Sequence, residues 1–167
     1  MELSVAVAQK QVGEPFPFEI SEAFGPIPYG GRTVDFAAPV RVYGTFVFDG
    51  KAFTVAAEAE TILKSVCARC AKPFDEPLAF PVNAMFVKAA EASGDTDAYP
   101  YTGDTLDVTK AVLDEFFLSL PLVSECRPDC KGLCPVCGCD RNVQTCHCQP
   151  TEAQSAFAAL SALSDKE

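Results

Sequence analysis

The sequence predicts an α+β fold: an antiparallel β-sheet core with one or two helices and a C-terminal cysteine-rich appendage. Three observations predict it. Apolar residues alternate with period two through residues 40–88, a helical apolar period follows at 108–120, and seven of the nine cysteines crowd into residues 126–148. The implied organisation is a sheet core with a helix near 107–120 over residues 1–125, a module packed on it over 126–150, and a short helix or tail over 151–167.

Residues 1 to about 38 carry scattered breakers (Pro15, Pro17, Gly25, Pro26, Pro28, Gly30, Gly31) and read as an extended arm with one strand at most. From Pro39 the pattern sharpens. Val40, Val42, Phe46 and Phe48 alternate, and Asp49-Gly50 then supplies a dipeptide that favours a tight hairpin turn. The return strand runs from about Ala52 to Val66, with Phe53, Val55, Ala57, Ala59 and Leu63 on one face and Thr54, Glu58, Glu60 and Lys64 on the other. A third strand is expected near Leu78–Lys88, where Leu78, Phe80, Val82, Ala84 and Phe86 repeat the period. Cys67 and Cys70 therefore fall in a strand connection. Residues 89–105 hold Glu91, Asp95, Asp97 and Asp104 without a Lys or Arg and read as a solvated acidic loop. Asp107 is the expected N-cap of a helix whose apolar face is Val108, Val112, Leu113, Phe116, Phe117 and Leu120, ended by Pro121. Thr151 and Gln154 have capping-box spacing ahead of Phe157, Leu160 and Leu163, which suggests a second helix.

Composition excludes several functions. The 167 residues carry 13 Lys+Arg against 23 Asp+Glu, a net charge of −10, which disfavours indiscriminate binding to nucleic acid or anionic lipid. No stretch is long and apolar enough for a membrane span, and the first 20 residues lack the regions of a secretory signal. A cytoplasmic location is expected, and there a cysteine-rich chain is read as metal-binding or redox-active before it is read as disulfide-stapled. Histidine catalysis has one candidate, His147, which sits between two cysteines. No Ser/His/Asp set, P-loop or dinucleotide fingerprint is present, so no enzymatic activity and no small-molecule substrate are expected.

The cysteines carry the chemistry. In Cys134-Pro135-Val136-Cys137-Gly138, two thiols three residues apart can chelate one ion from a single turn. Proline stiffens its start, and the glycine permits the positive φ that turns backbone N–H groups toward the sulfurs. Cys146 and Cys148 add two more sulfurs, better placed than the His147 between them. Tetrahedral thiolate binding of zinc, as one or two ions, follows. The favoured partition sets Cys134, Cys137, Cys146 and Cys148 on one ion and Cys67, Cys70, Cys126 and Cys130 on the other, with Cys139 left over. Exchange of Cys126 and Cys130 with the knuckle pair stays open on spacing alone. Iron is a minor alternative, because the knuckle resembles that of rubredoxin. A thioredoxin-like role is disfavoured, since Cys67 and Cys70 lead into another strand and not into a helix.

These residues resemble the YceD family, the large ribosomal RNA subunit accumulation proteins, in the cysteine-rich form of Gram-positive bacteria. The resemblance covers about residues 36–148. It rests on Cys67-Ala68-Arg69-Cys70 after a long strand, on Leu106-Asp107 opening a helix that ends at Leu120-Pro121, and on Cys126 followed by Asp129-Cys130-Lys131-Gly132-Leu133-Cys134-Pro135-Val136-Cys137-Gly138, Asn142 and Cys146-His147-Cys148. It departs from the usual pattern where Ala71 stands for a leucine, where Cys139 is extra, and where Gln149-Pro150-Thr151 replaces an Asp-Pro-Arg tail. The resemblance implies a non-enzymatic cytoplasmic factor for accumulation or processing of 23S ribosomal RNA and large-subunit biogenesis. It also implies ribosomal RNA or a large-subunit precursor as partner, with a ribosomal protein as a further candidate.

Charge adds a surface expectation. Between Cys126 and Cys148, three cations (Arg127, Lys131, Arg141) meet two carboxylates (Asp129, Asp140). With Arg69 and Lys72 they would form a modest basic rim for RNA or a partner. The opposing reading has Arg69 and Lys131 serving only as hydrogen-bond donors around the thiolates.

Overall fold

Asp49 and Gly50 set the centre of the fold. In this computed structural model, which describes residues 1–90 and 98–148, Asp49 Oδ1 accepts the N–H groups of Lys51 and Ala52 at 2.8 and 2.7 Å, and Gly50 takes a φ of 100°. That turn joins β5 (Val40–Phe48) to β6 (Ala52–Val66) in antiparallel register, Phe48 opposite Phe53 and Arg41 opposite Glu60. The expected alternation is observed: Val40, Val42, Phe46, Phe48, Phe53, Val55, Ala59 and Leu63 are all buried. Gly44 faces Ala57 in this ladder, and a Cβ there would lie 2.3 Å from the Ala56 carbonyl oxygen.

The arm expected over residues 1–38 instead contains four strands. They are β1 (Glu2–Ser4), β2 (Pro15–Glu22), β3 (Ile27–Tyr29) and β4 (Arg32–Phe36), with one 3-10 turn at Ala8–Lys10. β2 pairs only with β5, antiparallel, so it is an edge strand that tolerates Pro15 and Pro17, while Phe16, Phe18 and Ile20 pack against the core. β4 joins β6 and β3 joins β4.

The third long strand starts five residues before the expected Leu78: β7 is Pro73–Lys88 and pairs with β6. The stretch expected to be an acidic loop also carries structure at its end. β8 (Tyr99–Tyr101) adds to β7 in parallel, and β9 (Thr105–Asp107) pairs antiparallel with β1. α1 spans Thr109–Ser119, with Asp107 Oδ1 accepting the Thr109 N–H at 3.0 Å. Its Phe116 is buried against Phe36 and Phe80, closing the core over the sheet. The proposed helix beginning at Thr151 lies outside the described residues. Among the described residues no helix is long and apolar enough to cross a membrane.

Two compact units are present. One comprises residues 1–65 with 73–124 and holds the whole apolar core. The other comprises Val66–Lys72 with the residues from Glu125 onward. Among the described residues of this second unit, what is buried is sulfur: Cys67, Cys70, Cys130 and Cys134, with Gly132 between the last two.

Candidate metal centres

Two CxxC knuckles in the second unit are built alike. At the first, the Ala71 N–H donates to the Cys67 carbonyl at 2.8 Å and the Cys67 N–H to the Lys72 carbonyl at 2.9 Å. At the second, the Gly138 N–H donates to the Cys134 carbonyl at 2.9 Å and the Cys134 N–H to the Cys139 carbonyl at 2.8 Å. Closing this turn needs a left-handed residue just after the second cysteine. Gly138 supplies φ 71° without strain, whereas Ala71 adopts φ 56° with a Cβ in place.

The knuckles aim backbone N–H groups at their leading sulfurs. Cys67 falls to about 6, held down by the N–H of Cys126, then by that of Cys70. Cys134 falls to about 6 through the N–H groups of Cys137 and Val136. Cys126 and Cys139 move the other way. Cys126 is pushed up to about 12 by burial and then by the Cys67 and Cys130 thiols, and Cys139 to about 12 by the Cys137 thiol first, then burial. A cluster that readily forms its first thiolate but resists its last is a site that a dication completes, because the cation reverses the sign of the local field.

Distances fit that reading. Cys67, Cys70, Cys126 and Cys130 place their sulfurs within 4.8 Å of one another, with Cys67 Sγ 3.9 Å from Cys130 Sγ and Cys70 Sγ 3.8 Å from Cys126 Sγ. A tetrahedral ion with metal–sulfur bonds of about 2.3 Å needs sulfur–sulfur edges of about 3.8 Å. All nine cysteines are free, and these separations are far longer than a disulfide.

The second foursome is Cys134, Cys137, Cys139 and Cys146, again within 4.8 Å of one another. Sequence spacing favours Cys148 in this set and leaves Cys139 over. Cys139 joins because the left-handed turn at Gly138 folds the chain back and the Cys139 carbonyl is bonded to the Cys134 N–H. Cys148 stays beside the site. It lines a hollow of about 210 Å³ with Cys134, Cys146 and Arg141, and the Cys137 thiol is the main influence pushing it up to about 12. His147 is exposed.

The basic rim is largely spoken for. Arg69 Nε pairs with Glu125 at 2.8 Å while its Nη1 donates to the Cys130 carbonyl at 3.1 Å. Lys72 Nζ pairs with Asp140 at 2.6 Å, which holds that carboxyl down to about 2. Arg127 Nη2 donates to Asn142 Oδ1 at 2.8 Å, and its Nε pairs with Asp129 at 3.3 Å. Among the described residues only Lys131 and Arg141 of the five have no side-chain partner. Sequence reasoning gave Asn142 no role, although an Asp-x-Asn run inside a cysteine loop is a recognisable side-chain-to-backbone turn signal. Asn142 N–H donates to Asp140 Oδ1 at 2.9 Å.

A family model described as large ribosomal RNA subunit accumulation protein YceD matches residues 55–164. An uncharacterized protein of Mycobacterium tuberculosis is 34% identical over 76 residues, 43% of this chain and 37% of that protein. A protein of Zea mays named large ribosomal RNA subunit accumulation protein YCED homolog 1, chloroplastic, is 35% identical over 57 residues, 34% of this chain and 20% of that protein. The matched stretches thus span well under half the length of these relatives. No solved structure matches the chain.

Proposed function

The chain belongs to the YceD family, and on that premise we propose that it is a non-enzymatic cytoplasmic factor supporting accumulation of large-subunit ribosomal RNA. Two structural zinc ions would hold its second unit together. The observation that carries the reading is the closed, four-sulfur character of both clusters. A site whose every position is filled by the chain's own thiolates leaves none for a reacting water or substrate, so its work is to shape a surface. Cys67, Cys70, Cys126 and Cys130 would hold one ion, and Cys134, Cys137, Cys146 and Cys139 the other. Iron, which the same donor set accepts, is the competing metal.

A second reading, a binding module for a basic ribosomal protein, is favoured by one observation. Arg69, Lys72 and Arg127 are engaged within their own unit, and the chain as a whole carries a net charge of −10. Recovery of the tagged chain from cell extract, with and without nuclease, separates the two. Precursor RNA of the large subunit is expected to copurify and to be lost after nuclease treatment. A basic protein that stays bound after nuclease supports the second reading, and recovery of neither overturns both. Elemental analysis of the same preparation is expected to return zinc at one ion per foursome. Substoichiometric metal with all nine cysteines titrating as free thiols would overturn the zinc assignment.

A further inference from the structure

The two foursomes meet across three residues. Cys130 belongs to the first and Cys134 to the second, with Lys131, Gly132 and Leu133 between them. That bridge is held from both sides. The Leu133 N–H donates to the Arg69 carbonyl, inside the first knuckle, at 2.9 Å, and the Arg141 N–H, from the loop of the second cluster, donates to the Gly132 carbonyl at 3.0 Å. Gly132 has a φ of 69°, and a Cβ there would stand 2.9 Å from the Arg69 carbonyl oxygen, so only glycine lets the bridge lie against the knuckle.

Asn142 crosses the same gap. In sequence it lies between Cys139 and Cys146, yet its amide serves the other cluster. Its Nδ2 reaches Cys130 Sγ at 3.5 Å, and its Oδ1 accepts the Lys131 N–H at 2.8 Å together with Arg127 Nη2. Nδ2 also donates to Asp140 Oδ1 at 2.8 Å, and Asp140 in turn pairs with Lys72 just beyond the first knuckle.

From this bridge we infer that the two metal sites are thermodynamically coupled, and that Asn142 is the positioning residue through which the order of one site reaches a thiolate of the other. The inference rests on the metal reading above. Its physical basis is shared ordering. The loop from Cys139 to Cys146 buries no apolar side chain, so without its ion only short-range hydrogen bonds, such as those from Asn142 to Asp140, hold Asn142 in place. Once that loop is ordered, the amide donor toward Cys130 is already in place and the first site forms at a lower entropic cost. By linkage, the first site favours the second to the same degree.

The test uses the full chain with zinc and cobalt(II) as probes, reading thiolate-to-cobalt charge-transfer absorption and zinc loss to a competing chelator. The double variant Cys134→Ser/Cys137→Ser, which lacks the second site, is expected to hold its first-site ion roughly 10–100-fold more weakly than the unmodified chain. Asn142→Ala is expected to bind one ion per foursome at saturating metal but to show the same weakening at the first site. Adding the double variant to that background should weaken it no further. Asn142→Asp keeps an acceptor for Lys131 and Arg127 but presents no N–H to the sulfur, and should weaken the first site as alanine does. First-site affinity that is equal with and without the second site would overturn the coupling. An Asn142→Asp chain that binds like the unmodified one would overturn the amide–sulfur route. A chain that binds neither metal sinks the metal reading itself, whereas two ions bound independently sink the coupling alone.

Discussion

Ala71 and Arg69 show how much of the first cysteine cluster rests on single residues. Ala71 holds the left-handed position that Gly138 fills in the other knuckle, at φ 56° and with its side chain exposed. An L-residue there costs about 1–2 kcal/mol, part of which a glycine would return through the greater entropy of the unfolded chain. Ala71→Gly is therefore expected to stabilise the second unit by roughly 0.5–1 kcal/mol, read as slower zinc loss to chelator at unchanged stoichiometry. Arg69 ties the knuckle to Glu125 and to the Cys130 carbonyl. Both groups are partly solvated, so the expected loss in Arg69→Ala is about 1 kcal/mol, seen as faster release of the first ion. A variant with unaltered metal release and weakened RNA association would instead restore Arg69 to a contact surface.

Among the elements, the pair β5 and β6 carries the sharpest steric constraint. Gly44 faces Ala57 across the ladder, and a Cβ added there would sit 2.5 Å from Ala57 Cα. The Ala56 carbonyl oxygen, 2.3 Å away, is backbone as well, so such a methyl displaces the neighbouring strand itself. Gly44→Ala is expected to lower the stability of the sheet unit by about 1–3 kcal/mol, measured by thermal unfolding, while zinc content stays the same. β2 illustrates the reverse case, in which an unpromising segment is stable. It has only β5 beside it, its prolines are exposed, and Phe16 and Phe18 pack near Phe46.

For the molecule as a whole, the two units are stabilised by different physics. The first has an apolar core with Phe53, Phe80, Phe86 and Phe116 fully buried, whereas the described interior of the second is thiol and glycine, with Val136 and Val143 on its surface. Binding of a structural zinc would release on the order of 10 kcal/mol, and among the described residues of the second unit no apolar side chain is buried to contribute comparably. Chelation at neutral pH is expected to remove amide-exchange protection from residues 125–148 and 66–72 while β5, β6 and β7 stay protected. Loss of protection throughout the chain in one step would show that the units do not have separate stabilities.

Local regularity determined what the sequence alone made readable. Period-two alternation located β5, β6 and most of β7, the helical period located α1, and thiol spacing grouped Cys67, Cys70, Cys126 and Cys130 in one cluster and Cys134, Cys137 and Cys146 in another. Tertiary structure decided the rest, because those features depend on partners distant in sequence. β1, β8 and β9 are three-residue strands that exist only through pairing, and β2 is stable only because β5 lies beside it. That the Cys139 sulfur lies within 4.8 Å of those of Cys134, Cys137 and Cys146 follows from one left-handed turn and one backbone hydrogen bond, a detail too small for spacing to resolve. The amide of Asn142 reaches Cys130, 12 residues earlier, and no periodicity records that contact.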